Sequence, residues 1–194
     1  MNESGDISAE DRSFLYGDGL FETVFVRRDG SVRWLDYHLE RFERSAGTLG
    51  FGRPEIERGR DALESLTGRE SGIWRVTVSR SGTDAPFGGE GHVRVRHRPA
   101  GQETRPELGI AEGQYRPGDE LAEHKTTSYL RSIEVRRRAQ RDGFDDAVML
   151  SDSGLAGETS CANIVVIDDG RAVTPPVDGI LPGVTRRGLL ELAE

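Results

Sequence analysis

Lysine is almost absent from this chain of 194 residues: Lys and Arg together number 26, and Lys125 is the only lysine among them. A P-loop nucleotide hydrolase needs a Gly-Lys pair, and Lys125 follows His124, so that class is excluded. Cysteine is as scarce. Cys161 alone cannot form an internal disulfide, which fits a reducing cytoplasm, and it reads as a small buried side chain. The four histidines, at 38, 92, 97 and 124, show no metal-ligand spacing, so no metal is expected. Long apolar runs are missing, and the opening MNESGDISAEDR has no signal-peptide core; a soluble cytoplasmic protein is the expectation. An excess of positive charge is missing too. The formal net charge of -8 argues against nucleic acid or an anionic membrane as partner.

Against that background one ammonium was kept while every other such cation is arginine. A lysine amine can lose its proton and form a Schiff base with a carbonyl, which a guanidinium cannot do. A Schiff-base role for Lys125 is the working hypothesis; a surface residue is the plain alternative.

The order of elements follows from periodicity and turn chemistry. LFETVFVRR and SVRWL flank Asp29-Gly30 as a hairpin signal. From Asp36 to Leu49 the apolar residues Leu39, Phe42, Ala46 and Leu49 take helical spacing, Gly50 stops the run, and Arg41 falls away from that stripe. IWRVTVSR and HVRVRHR read as strands, the second with one cationic face. Residues 101–106 are polar and turn-rich, and serve as the expected linker between a lobe of residues 1–100 and a second lobe of residues 107–194. The second lobe opens with LGIAE, places Lys125 just before a helix from about Ser128 to Asp142, and continues through DDAVMLS, GETSCANIVVI and RAV as antiparallel strands, Glu158 near the start of one. Thr185 is the expected N-cap of a closing helix, whose N-terminus after Gly183 is an anion site.

An amine nucleophile, a strand carboxylate, an arginine and a helix N-terminus are the groups that pyridoxal phosphate requires: a lysine for its aldehyde, a carboxylate for its ring nitrogen, and N–H groups with a cation for its phosphate. Taken singly, Glu158 serves equally as a surface carboxylate, Arg41 as a salt-bridge partner and Thr185 as a simple cap. Five motifs in order, DRSFLYGDGLFET, HLERFERSA, HKTTSYL, GETSCANIVVI and TPPVDGILPGVTR, make the chain resemble the class IV aminotransferases. These are the fold-type IV pyridoxal-phosphate enzymes, which include branched-chain and D-amino-acid aminotransferases and aminodeoxychorismate lyase.

The resemblance implies a two-lobed α+β fold, pyridoxal 5'-phosphate as cofactor and a homodimer. It implies Lys125 as the Schiff-base residue and proton shuttle, and Glu158 against the pyridine nitrogen. Arg41, Val184 and Thr185 would take the phosphate, Tyr129 and Asn163 would lie near the ring hydroxyl, and Leu181 would pack on the ring. Tyr16, Phe21 and Thr23 would line the substrate side, with Arg80 toward a substrate carboxylate; Phe21 and Tyr16 read equally as core packing. The wording GDGLFET leans toward 4-amino-4-deoxychorismate lyase of folate biosynthesis, with branched-chain or D-amino-acid aminotransferase as the alternative. The family pattern continues past the last helix and before the DR motif, so an incomplete C-terminal lobe with exposed sheet edges and apolar surface is expected. A non-catalytic cofactor- or partner-binding fragment is the rival from another class.

Overall fold

The structure, a computed structural model, describes residues 7–82, 88–101 and 105–193. The middle of the expected linker, residues 102–104, lies outside the described residues, as do residues 1–6. The chain divides into two compact units at residue 102, with one departure from a simple two-lobe split: Lys125–Ser128 belongs to the first unit.

The first unit is built on an antiparallel sheet of β1 (Gly19–Val26), β2 (Gly72–Ser79) and β3 (Val93–Arg98), in that order. The two-residue period of a strand sorts its side chains. Leu20, Val24 and Val26 of β1, with Val76 and Val78 of β2, pack on Phe42 and Ala46 of helix α2 (Leu35–Thr48) and Ala62 and Leu63 of helix α3 (Arg53–Glu64). Each such side chain contributes about 1.5–3 kcal/mol on burial. The opposite face carries Phe21, Thr23 and Phe25, then Arg75 and Thr77, then Arg94, Arg96 and Arg98, so the cationic strand face is part of a cationic sheet face.

Helix α2 lies one residue from its expected span, but two expectations fail locally. The Asp29-Gly30 turn forms, with Gly30 at φ 81°, yet SVRWL supplies only the bridge Val26↔Val32, because Trp34 takes a left-handed backbone and the helix begins at Leu35. The true partner of β1 is β2. Helix α3 has few apolar positions to announce it, and Gly59 at its centre is what allows it to approach: a Cβ there would overlap the Phe42 ring.

A fourth segment completes this sheet. Phe21 N–H donates to Lys125 O at 2.9 Å and Thr127 N–H to Gly19 O at 2.8 Å, so residues 125–127 lie along the edge of β1 away from β2. The glycines of GDG make room for it. A side chain at Gly17 would collide with Ser128, and one at Gly19 would meet Ser13 first and then the Thr127 hydroxyl; Gly17, at φ 68°, also ends the short helix α1 (Arg12–Tyr16).

The DR motif holds this corner. Asp11, fully buried, caps α1 through Ser13 N–H at 2.8 Å and accepts Ser79 Oγ at 3.0 Å and Arg94 Nη1 at 2.6 Å. Asp18 takes Arg12 and Arg80 together.

In the second unit, β4 (Leu108–Ala111) pairs parallel with β5 (Asp146–Leu150), which pairs antiparallel with β6 (Ala156–Thr159). Helix α4 (Leu130–Arg141) packs Val135 and Ala139 against Ala147 and Met149. The run GETSCANIVVI is not one strand. It turns back after Thr159, whose N–H donates to Ala162 O at 2.8 Å, and resumes as β7 (Val166–Asp168), which forms a hairpin with β8 (Arg171–Val173). Helix α5 spans Val184–Ala193. Ile110 on edge strand β4 and Ile167 on the hairpin are exposed. Cys161, expected buried, is exposed on the turn, with Sγ 3.6 Å from Asp146. No helix among the described residues is long and apolar enough to cross a membrane.

Asp11 makes acid stability testable. Burial pushes its carboxyl up, but hydrogen bonds from Ser13, Arg94 and Ser79 and the Arg94 charge more than offset it, lowering the pKa from 3.8 to about 2. A depressed carboxyl contributes stability above its unfolded pKa and loses it as pH falls through the folded value. Urea unfolding between pH 5 and pH 2 should therefore show a steeper loss in the native chain than in Asp11→Asn, which should already be weaker at pH 5 by about 3 kcal/mol. Parallel pH profiles would refute this role.

Candidate active site

The expected site residues fall into two groups, one in each unit. In the first, the edge pairing with β1 brings the Lys125 side chain to the ring of Phe21, with Nζ 4.5 Å from the centroid. Phe21 is buried, and the guanidinium carbon of Arg75 lies 3.5 Å from the same centroid. The negative face of an aromatic ring attracts such cations. Thr23 neighbours Arg75 across the strands, so Lys125, Phe21, Thr23 and Arg75 share one patch. Tyr16 sits exposed at the end of α1, with the Arg12 guanidinium 5.7 Å from its ring.

Two arginines differ from expectation. Arg41 does not turn away from the core: it is 7% exposed, with Nε 2.9 Å and Nη2 2.6 Å from the two oxygens of Glu22. His38, one helical turn earlier, places Nδ1 2.7 Å from the same carboxylate. A salt-bridge partner was the open alternative, and the side chain fulfils it. Burial raises the pKa of Glu22, but the His38 hydrogen bond and the Arg41 charge and hydrogen bonds bring it below the ordinary carboxylate value. Arg80, expected at a substrate carboxylate, instead donates through Nη2 and Nε to Asp18 at 2.7 and 3.1 Å and through Nη1 to Leu49 O at 2.5 Å. Its guanidinium ties β2 to the start of β1 and the end of α2, which is a structural role.

The second group centres on Glu158. Because the chain turns back at residues 159–162, Asn163 forms a bridge opposite Glu158. Asn163 Nδ2 donates to Glu158 Oε2 at 3.0 Å and to Leu181 O at 2.8 Å, while Leu181 N–H donates to Glu158 Oε1 at 3.3 Å. Both oxygens of the carboxylate are thereby fixed, and Asn163 acts on Glu158 and on the segment bearing Leu181. Helix α5 begins beside them. Arg187 N–H donates to Gly183 O at 2.9 Å, so Gly183 occupies the cap position and Thr185 is the second helical residue, exposed, after buried Val184. No acidic side chain lies in its first turn, so the positive end of the helix dipole is not neutralised there. A Cβ on Gly183 would overlap Asn163 Oδ1. Tyr129 sits at the N-cap position of α4, directly after the Lys125–Ser128 segment.

Sequence reading missed Arg75, Glu22 and His38. The signal for Glu22 was present: it takes the same strand parity as Leu20 and Val24, and a carboxylate on a core face needs a buried cation.

Taken unit by unit, the amine on a sheet edge in the first suits an aldehyde, and in the second a carboxylate with both oxygens anchored and a helix N-terminus without acidic residues suit a ring nitrogen and a phosphate. Comparison with known proteins agrees with this class of site. The family model for amino-transferase class IV matches residues 19–194. The chain is 30% identical to a bifunctional aminodeoxychorismate lyase / D-amino acid transaminase of Mycobacterium tuberculosis, over 96% of this chain and 72% of the relative. It is also 30% identical to an aminodeoxychorismate lyase of Vibrio harveyi, over 93% of this chain and 71% of the relative. Among solved structures, a hypothetical aminotransferase from Mycobacterium tuberculosis in a PLP-bound form superposes with a TM-score of 0.83 at 28% identity, covering all of this chain (100%) and 74% of that one. The branched-chain aminotransferase of Thermoproteus uzoniensis gives 0.80 at 27% identity, covering 99% of this chain and 70% of that one. The chain belongs to the class IV aminotransferases, pyridoxal-phosphate enzymes of fold type IV.

Asn163 offers a test of the second group. Asn163→Leu leaves Leu181 O and one oxygen of Glu158 without this donor, and should cost about 1–3 kcal/mol in chemical denaturation. An unchanged midpoint would mean that these hydrogen bonds do not hold the site.

Proposed function

We propose that Lys125 and Glu158 serve one molecule of pyridoxal phosphate, and that the chain acts on an amino-acid-type substrate as a 4-amino-4-deoxychorismate lyase. The observation that carries the reading is the setting of the only lysine: it is mounted on a sheet edge, against Phe21, on the face that carries Arg75. Backbone pairing limits where the amine can move. Relatives named aminodeoxychorismate lyase support the choice of reaction.

When bound, the cofactor supplies the electron sink that makes a proton next to an amino group removable. This chain's residues do the rest. Lys125 Nζ would hold the cofactor through its aldehyde and would take and return a proton at the carbon bearing the substrate amine. Glu158, with both oxygens fixed, holds a proton on the ring nitrogen. The N-terminal N–H groups of α5 at Val184 and Thr185, with the Thr185 hydroxyl, would bind phosphate in the second unit, and Arg41 is the phosphate donor we assign in the first. Leu181 would pack on the ring and Tyr129 would lie toward its hydroxyl. Arg75 takes the role first expected of Arg80, meeting a substrate carboxylate, since the Arg80 donors are engaged by Asp18 and Leu49 O. Phe21, Thr23 and Tyr16 bound the substrate. A homodimer in a cytoplasmic setting completes the reading.

The experiment is borohydride reduction of the chain with pyridoxal phosphate, followed by peptide mass spectrometry. A pyridoxyl group is expected on Lys125, and none should form in Lys125→Ala, which should also lose turnover by at least about 1000-fold. A binder without catalysis would keep its ligand affinity in that variant. Release of pyruvate and 4-aminobenzoate without an added keto acid marks the lyase; turnover only with a keto acid marks the transaminase and overturns the substrate assignment.

The two arginines should separate in kinetics. Arg75→Gln should raise KM about tenfold or more with little change in thermal midpoint. Arg80→Gln should lower the midpoint by several degrees and move KM less. The reverse pattern would restore Arg80 as the substrate contact.

A further inference from the structure

We propose that Glu22 and His38 are positioning residues that hold Arg41 as a fixed donor for the phosphate of the cofactor. This rests on the assignment of Arg41 to phosphate made above and adds residues to which no role was given.

The observations are geometric. Glu22 is 2% exposed, on the core face of β1, and makes a two-point fork with Arg41, Nε to Oε1 at 2.9 Å and Nη2 to Oε2 at 2.6 Å. A two-point fork fixes the plane of the guanidinium as well as its position. His38 fixes the carboxylate in turn. Its Nδ1 lies 2.7 Å from Oε2, and because an ionised carboxylate only accepts, Nδ1 must carry the hydrogen. His38 and Arg41 are three residues apart on α2, so one helix face presents both to one strand residue.

The electrostatics distinguish this arrangement from an ordinary cationic phosphate site. A fully buried carboxylate in bidentate contact cancels most of the guanidinium charge at a distance. Arg41 would then act on a phosphate through directed N–H donors held in place, not through net charge. A guanidinium carries its five donors in one plane, so the fork through Nε and Nη2 sets the direction in which every Arg41 N–H points. A lysine ammonium has its three donors on one nitrogen and cannot reproduce the planar two-nitrogen fork, so Arg41→Lys should not restore what Arg41→Met loses.

The experiment compares the dissociation constants of pyridoxal 5'-phosphate and of pyridoxal, which lacks the phosphate, for the full chain and its variants, with thermal midpoints alongside. The native chain should prefer the phosphate-bearing form. Glu22→Gln should lose about tenfold of that preference, the equivalent of one charge-assisted hydrogen bond, while its affinity for pyridoxal changes less than about twofold. Combining Glu22→Gln with Arg41→Met should cost no more preference than Arg41→Met alone, because Glu22 acts through Arg41. His38→Asn leaves the ion pair in place and should lose a smaller part, about threefold, which keeps the test informative if the buried Gln prevents folding. Equal weakening of both ligands by Glu22→Gln, or full native preference, would overturn the clamp and leave Arg41 as phosphate ligand. A native chain that captures both ligands on Lys125 without preferring the phosphate would overturn the assignment of Arg41 and the clamp with it.

Discussion

The setting of Lys125 in the first unit depends on a short run of backbone hydrogen bonds along one strand edge. Phe21 N–H to Lys125 O and Thr127 N–H to Gly19 O turn residues 125–127 into an added strand on β1. Without them Lys125 would be one residue in a polar connection between a 3₁₀ turn at Glu120–Glu123 and a helix at Leu130–Arg141. With them its amine has a fixed neighbour, the Phe21 ring. The pairing needs an open edge and room at it, and both come from sequence: the two glycines of GDG remove the side chains that would meet Thr127 and Ser128. A motif that looks like a loop signature is thus a docking surface for the segment that carries Lys125.

The same strand joins the amine face to the core face. Its odd positions give Phe21 and Thr23 to the patch that carries Lys125 and Arg75; its even positions give Leu20, Val24 and Val26 to the apolar core and Glu22 to Arg41. A charged pair in a core is a costly way to fill space, and breaking one partner is worse than replacing both by apolar groups.

How much of this was legible follows from which interactions are local. Helix α2, the strands β2 and β3 and the stop at Gly50 came through because periodicity and turn residues act within a few positions. Lys125 stood out by composition, and Glu158 and Asn163 by motif. What failed was non-local. The orientation of Arg41 depended on Glu22 nineteen residues away, and helical spacing alone placed it on the wrong side. The target of Arg80 was Asp18, sixty-two residues distant. SVRWL had strand-like composition but lost to the helix start at Leu35, and GETSCANIVVI read as one strand because nothing in its composition announced the turn after Thr159. Helix α3 was invisible for a different reason: its packing relies on a glycine, and a glycine in a helix reads as a break until the ring it makes room for is known.

The two groups of site residues are stiffened by different means, and the difference follows from the bonds available to each. In the first unit a sheet supplies backbone pairing, so the lysine is mounted on a strand edge through its main chain. In the second unit the segment from Leu181 to Gly183 lies outside the strands, and the Asn163 side chain does there what a ladder does in a sheet. Its amide nitrogen donates both to a backbone carbonyl and to Glu158, so the carboxylate and the approach to α5 are held by the same group. Gly183 lies so close to Asn163 that no Cβ fits between them. Lys125 is thereby positioned through its backbone, while Glu158 is fixed through the donors its carboxylate accepts.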